Sequence, residues 1–182
     1  MKILAISGSL RAGSANTRVV EALAHLAGPE VVVSVYRGLG DLPLFNPDLE
    51  DRLPAEVADL RRAVGGADAV VICSPEYAHG VAGAMKNALD WLVPSVEFPG
   101  IAAAVINAAP HAHHAVTQLR ETLQDMSARI VDDACVVLLM PGRTEASDEI
   151  AAASDLADPL RTAILQLAAV GARSAGSISE PP

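Results

Sequence analysis

The sequence predicts an α/β protein: a five-stranded parallel sheet with helices on both faces. Three observations carry that expectation. Apolar runs of strand length alternate five times with stretches of helical periodicity, the pattern of a parallel sheet wound by right-handed crossovers. The runs Lys2–Ile6, Asp68–Cys73 and Ile101–Ala109 are almost continuously apolar rather than alternating, as strands covered on both faces must be. The first and third runs stop abruptly, at Ser7-Gly8-Ser9 and at Ser74-Pro75, and the carboxyl ends of such strands are where an open α/β sheet binds ligands.

Taken in order, Lys2–Ile6 reads as a central strand, and Val19, Val20, Leu23 and Leu26 give the next stretch the spacing of a helix, with Ser14 as its N-cap. Glu30–Tyr36, rich in valine, is the second strand. The segment 38–48 holds glycines and prolines that argue against regular structure, yet its Leu42, Leu44 and Phe45 need cover. Pro54–Val64 is a helix closed by Gly65-Gly66. After the third strand, Pro75 fixes its own φ and pushes Ser74 out of helical space, so the chain must turn. A helix over about Val81–Val93 carries Met85, Ala88, Leu89 and Leu92 on one stripe, placing Trp91 toward its edge and Lys86 opposite Asp90.

Ile101–Ala109 is the fourth strand, followed by a helix over about Ala115–Met126. His111, His113 and His114 lie between them without a Cys, Asp or Glu at ligand spacing, and adjacent His113 and His114 would point apart on a helix, so no metal is expected. Ile130–Met140 is the fifth strand, broken by Pro141-Gly142-Arg143. A last helix runs from Ser147 to about Val170, kinked or divided at Pro159. Residues 1–170 are thus read as one domain and 171–182 as a frayed tail.

Composition excludes several partners. A net charge of -9 disfavours nucleic acid and anionic membrane surfaces, but not a small anion in a local pocket. Cys73 and Cys135 sit in apolar runs and read as buried thiols of a reducing compartment. The short apolar run at the N-terminus is no signal peptide and no run reaches membrane-spanning length, so a cytoplasmic location is expected.

The loop Leu10–Thr17 combines hydroxyls, a glycine, an arginine and a helix N-terminus, which together suit a phosphate. Gly8 and Gly13 do not make G-x-G-x-x-G, so a Rossmann dinucleotide site is disfavoured. Their spacing matches a Walker A loop, but Ser14 stands where its lysine would be. A phosphatase loop would need a cysteine, and none is there. An ordinary capped turn remains the plain alternative. With a phosphate loop after strand one, the flavodoxin-like strand order 2-1-3-4-5 is favoured, giving a three-layer sandwich with its crevice between strands one and three. The loops Ser9–Thr17 and Ser74–Gly80 meet there.

On these residues, Gly8-Ser9-Leu10-Arg11-Ala12-Gly13-Ser14-Ala15-Asn16 and Ser74-Pro75-Glu76-Tyr77 with Met85-Lys86-Asn87-Ala88-Leu89-Asp90-Trp91, the sequence resembles the NADPH-dependent FMN reductase family, which includes quinone, chromate and azo-dye reductases. The resemblance covers about Lys2–Met140. It implies an FMN phosphate held by Ser9, Arg11, Ser14, Asn16 and Thr17, and an isoalloxazine ring lying along Pro75, Glu76 and Tyr77, with Tyr77 walling the site. Two departures stand out: Ala78 where the family often has Asn, and Asn107-Ala108-Ala109-Pro110-His111-Ala112-His113-His114 where it is often glycine-rich, although backbone amides around Asn107 to Ala109 could face the ring's pyrimidine edge. The resemblance further implies hydride passing from NADPH or NADH through FMN to a quinone-like acceptor in a ping-pong cycle, and a homodimer or homotetramer with contacts at Leu42–Asp48 and the Trp91 helix. Because the flavin supplies the chemistry, no catalytic side chain is assigned. The alternative is a flavin-binding electron carrier or redox sensor, disfavoured by the few aromatics available to flank the ring.

Overall fold

The computed structural model describes residues 1–140 and 142–175. Strand β1 (Lys2–Ser7) leads through helix α1 (Ala15–Leu26) to β2 (Val32–Tyr36), then through α2 (Ala55–Gly65) to β3 (Ala69–Cys73). A small hairpin, β4 (Glu76–Tyr77) and β5 (Gly80–Val81), precedes α3 (Gly83–Leu92), β6 (Ala102–Asn107) and α4 (His113–Asp125). The short strands β7 (Arg129–Ile130) and β8 (Val136–Val137) and the helices α5 (Ser147–Ala152) and α6 (Ser154–Ala175) complete the order. The main sheet is parallel, ordered β2-β1-β3-β6-β7, with β8 also paired to β6. It is the flavodoxin-like α/β fold, with the fifth position shared by two short strands.

Every residue of β3 and β6 is buried, so neither strand alternates. Side-chain period two still sorts them between two cores. Ile3, Ala5, Val71 and Ala104 face α1 and α6 through Val19, Leu23, Leu160 and Leu167. Leu4, Ile6, Val70 and Val105 face α2, α3 and α4 through Leu60, Leu89, Trp91 and Leu119.

Four expectations are corrected. The strand foreseen over 130–140 is interrupted by a single 3-10 turn, Asp132–Ala134, because two aspartates are poor strand formers. Across that gap Val105 N–H donates to Cys135 Sγ at 3.3 Å before Ile106 pairs with Val136. The last helix divides at Ala153, whose extended ψ of 111° ends α5, while Pro159 is accommodated inside α6. Trp91 is fully buried rather than at an edge, because the 42–45 segment folds over α3. Its Nε1–H donates to Pro43 O at 2.7 Å and its ring takes the edge of Phe45, with centroids 5.0 Å apart. Asn87 clasps the same segment, accepting from Phe45 N–H at 2.8 Å and donating to Pro43 O at 3.0 Å. Finally, the His113 and His114 rings do not point apart: their centroids are 4.1 Å from each other at the start of α4.

The 38–52 segment, expected to be irregular, forms two 3-10 turns, Gly38–Asp41 and Pro47–Arg52. Leu42 is buried, but Leu44 is 84% exposed. Lys86 pairs with Asp90 along α3 as foreseen. Pro141 and residues 176–182 lie outside the described residues, and α6 extends to Ala175, past the expected start of the tail. Among the described residues no helix is long and apolar enough to cross a membrane.

Candidate flavin site

The carboxyl ends of β1, β3 and β6 stand side by side, and the loops that leave them converge. Gly8 N–H donates to Cys73 O at 2.9 Å, joining the first two loops at their roots. A Cβ on Gly8 would fall 2.3 Å from Ser74 Oγ and 3.0 Å from its Cα, so only glycine lets the loops approach this closely. Between them opens a cleft of about 490 Å³ whose lining includes Arg11, Asn16, Pro75, Glu76, Asn107 and Ala109. Those residues come from all three loops. Their volume suits a cofactor-sized ligand, since ligand pockets span about 300–1,000 Å³.

The remaining expected residues are distributed around this cleft. Ser9 and Thr17 line a second cleft that Arg11 shares. Thr17 Oγ1 is 2.8 Å from Ser7 Oγ, and Ser9 Oγ accepts from Arg11 N–H at 3.3 Å. Ser14 is buried and occupies the N-cap position of α1, but its side chain makes no capping hydrogen bond. Tyr77 does not line the cleft and is 58% exposed. It neighbours Glu76 on a short strand, and alternation sends the two side chains to opposite faces.

The β6 loop also differs from expectation. Ala109 N–H is committed to Asn107 Oδ1 at 2.9 Å, so it is not free to meet a ring edge. With that oxygen used as an acceptor, the Asn107 amide presents Nδ2 as its donor.

Glu76 ties the β3 loop to α4. Its Oε2 accepts Ala115 N–H at 2.9 Å, and Oε1 faces His79 Nδ1 at 3.2 Å. The Ala115 N–H, with His79 and His114 nearby and partial desolvation opposing them, holds the carboxyl below the usual carboxylate range. His79 also meets the His114 ring edge to face, with centroids 4.5 Å apart. Among the described residues no group of three or more His, Cys, Asp or Glu is placed to hold a metal.

Several contributors were not singled out from sequence. Arg18 lines both clefts, its Nη1–H and Nη2–H donating to the carbonyls of Glu145 at 2.5 Å and Arg143 at 3.1 Å. The segment after β8 supplies Met140, Gly142, Arg143 and Thr144 to the cleft wall. Arg143 is anchored by Glu145 at 2.7 Å and Asp155 at 2.5 Å. Beneath the floor, burial pushes the Cys73 thiol up to about 12, so it stays protonated and donates to Asn16 Oδ1 at 3.2 Å. That contact turns Asn16 Nδ2 away from Cys73. The only sequence signal for Arg18 was its place one residue beyond the phosphate-loop motif.

These features fit FMN. The first backbone bond of α1 runs from Arg18 N–H to Ser14 O at 3.1 Å, so the N–H groups of Ala15, Asn16 and Thr17 project from the helix end. The Arg18 Nε–H is buried without a partner among the described residues, an orphaned donor beside the phosphate loop. Pro75, Ala108 and Ala109 offer small, flat walls for a ring.

A sequence profile of the NADPH-dependent FMN reductase family matches residues 1–139. The chain belongs to that family. A quinone reductase of Escherichia coli (strain K12) is 38% identical over 94 residues, 50% of each chain. An NAD(P)H-dependent FMN reductase of Pseudomonas aeruginosa is 35% identical over 112 residues, 60% of each. The chain thus spans only about half to three fifths of the length of these relatives. Among solved structures, a flavoenzyme NAD(P)H:(acceptor) oxidoreductase from Paracoccus denitrificans superposes with a TM-score of 0.72 at 25% identity, covering 92% of this chain and 97% of that one.

Proposed function

We propose that this FMN reductase family member binds FMN and passes hydride from NADPH or NADH through it to a small quinone-like acceptor in a ping-pong cycle. The observation that carries the proposal is the convergence of three loops on one cleft that has an arginine-bearing helix N-terminus at one end and small, flat walls at the other. Similarity to a quinone reductase and to an NAD(P)H-dependent FMN reductase supports it. FMN when bound supplies the hydride chemistry. The protein's part is to hold and orient: Ser9, Arg11, Ser14, Asn16 and Thr17 serve the phosphate end, and Pro75, Glu76, Asn107 and Ala109 serve the ring. Tyr77 belongs to the outer rim in this reading.

No Phe, Tyr or Trp lines the cleft among the described residues. An open ring face suits a stacked nicotinamide better than the closed environment of an electron carrier. A homodimer or homotetramer is part of the same proposal. The contact on α3 moves from buried Trp91 to the exposed Val93 and Val96 just beyond that helix, with Leu44 on the adjacent segment. A cytoplasmic site is likewise proposed, consistent with two free cysteines.

Flavin absorbance of the purified protein, followed by NADPH and NADH oxidation with and without a quinone, tests the proposal. Flavin retained without quinone-dependent turnover would favour the carrier reading. In Arg11→Ala, loss of a charge-assisted contact should weaken FMN retention roughly tenfold, with turnover largely restored by excess FMN. Unchanged flavin content in that variant would refute the phosphate assignment.

A further inference from the structure

The stretch from the end of β6 into the first turn of α4 holds three histidines, and the structure sorts them. The His113 and His114 rings lie 4.1 Å apart, centroid to centroid, and His114 meets His79 at 4.5 Å, so these three imidazoles pack on one another. His111 is the histidine that lines the flavin cleft, and its imidazole has no partner among the described residues. The backbone around it is braced. Ala109 N–H donates to Asn107 Oδ1 at 2.9 Å, Ala112 N–H to Ala109 O at 2.8 Å, and His113 Nδ1–H to His111 O at 3.0 Å. These bonds fix the turn that sets His111 at the cleft wall. With both N–H groups engaged, Asn107 Nδ2 and the His111 ring are the side-chain donors this loop offers the cleft.

Charge distinguishes the two. Hydride brings two electrons and one proton to FMN, so the flavin gains one negative charge. At the ring end of the cleft Glu76 is ionised, its carboxyl held below the usual range by Ala115 N–H, and like charges repel. The cationic groups around the cleft stand elsewhere or are occupied. Arg11 belongs to the phosphate end, Arg18 is bonded to the Glu145 and Arg143 carbonyls, and Arg143 is paired with Glu145 and Asp155. On α4 and the hairpin, His113, His114 and His79 face one another, and His79 also faces Glu76. His111 is left as the ring-end group able to take a positive charge while the flavin takes a negative one, and histidine changes charge near neutral pH.

We propose that His111 carries the positive charge that offsets reduced FMN, so that two-electron reduction draws a further proton from solvent onto its imidazole. The inference deepens the proposed function and rests on the flavin ring lying at the β3 and β6 loops. It makes the driving force for acceptor reduction depend on pH through one residue of the cleft wall.

Equilibrium reduction against a reference dye, followed by flavin absorbance, tests it on the FMN-loaded full chain from about pH 6 to about pH 9. At the acid end His111→Gln should lose roughly tenfold of the preference for reduced over oxidised FMN, a midpoint potential about 30 mV below wild type. Reduction raises the proton affinity of His111, so the wild-type advantage is full at low pH and is lost as pH rises. The two midpoints should therefore meet at the alkaline end. His111→Lys, a cation throughout this range, should keep the raised midpoint there. Oxidised FMN should bind wild type and His111→Gln alike, because its ring carries no charge. Equal midpoints at every pH, or a gap that ignores pH, overturn the inference and leave the flavin site standing. A chain that takes up no FMN overturns both.

Discussion

The Glu76 carboxylate holds two parts of the cleft together, accepting from Ala115 N–H on α4 while facing His79 at the tip of the β4–β5 hairpin. Because the folded protein depresses its proton affinity, Glu76 contributes stability that is fully present above the ordinary carboxyl value and is lost as pH falls through the lower, folded one. Glu76→Gln should therefore lower Tm at pH 7. The gap from wild type should close as pH drops below about 4.5, the ordinary value. Thermal melts of both proteins from pH 7 to 3 check this, and a gap independent of pH would show that the charge is not what matters. Glu76 was placed correctly at the end of a strand from its neighbour Pro75. Its bond to Ala115 was not readable, since 39 positions separate the two residues and only the fold makes them adjacent.

The hairpin itself is strained where its turn is made. Ala78 and His79 both have positive φ, 50° and 58°, a conformation that costs non-glycine residues on the order of 1 kcal/mol each. A two-residue hairpin of this kind favours Asn-Gly. Ala78→Asn should raise Tm by about 2–4 °C, the shift for about 1 kcal/mol in a chain of this size. A stability measurement with no gain would mean that Asn loses elsewhere what it recovers in the turn. His79 keeps its costly conformation while contacting Glu76 and His114, contacts that glycine could not make. At the level of elements, continuous apolar runs were legible because parallel strands are buried on both faces. The broken fifth strand was not, because its apolar letters continue through 134–140 while Asp132 and Asp133 turn the backbone away. Trp91 was misplaced for a related reason: helical periodicity knows one face of α3, and the 42–45 segment covers another.

Across the whole molecule, the cleft depends on how closely β1 and β3 can bring their loops. Gly8→Ala would set a methyl 2.3 Å from Ser74 Oγ and 3.0 Å from its backbone, forcing the loops apart. A cost of about 1–3 kcal/mol is expected from such overpacking, together with loss of bound flavin. Ser74→Gly in the same chain should recover part of both. Denaturant unfolding and flavin absorbance measure the two effects separately, and unchanged flavin content in Gly8→Ala would show that the loops need not touch.

By itself the sequence determined the alternation of strands and helices, the sheet order around the first strand, and two of the segments that line the cleft, since each is written in local periodicity, proline and glycine. Only the tertiary structure decided that Arg18 and the 142–144 segment close the cleft, that Ala109 N–H is spent on Asn107, that Tyr77 faces outward, and that a second cleft adjoins the first. The reason is physical. Donors and acceptors choose partners by distance in space, and the chain's order leaves that distance open until both cores have packed against the sheet.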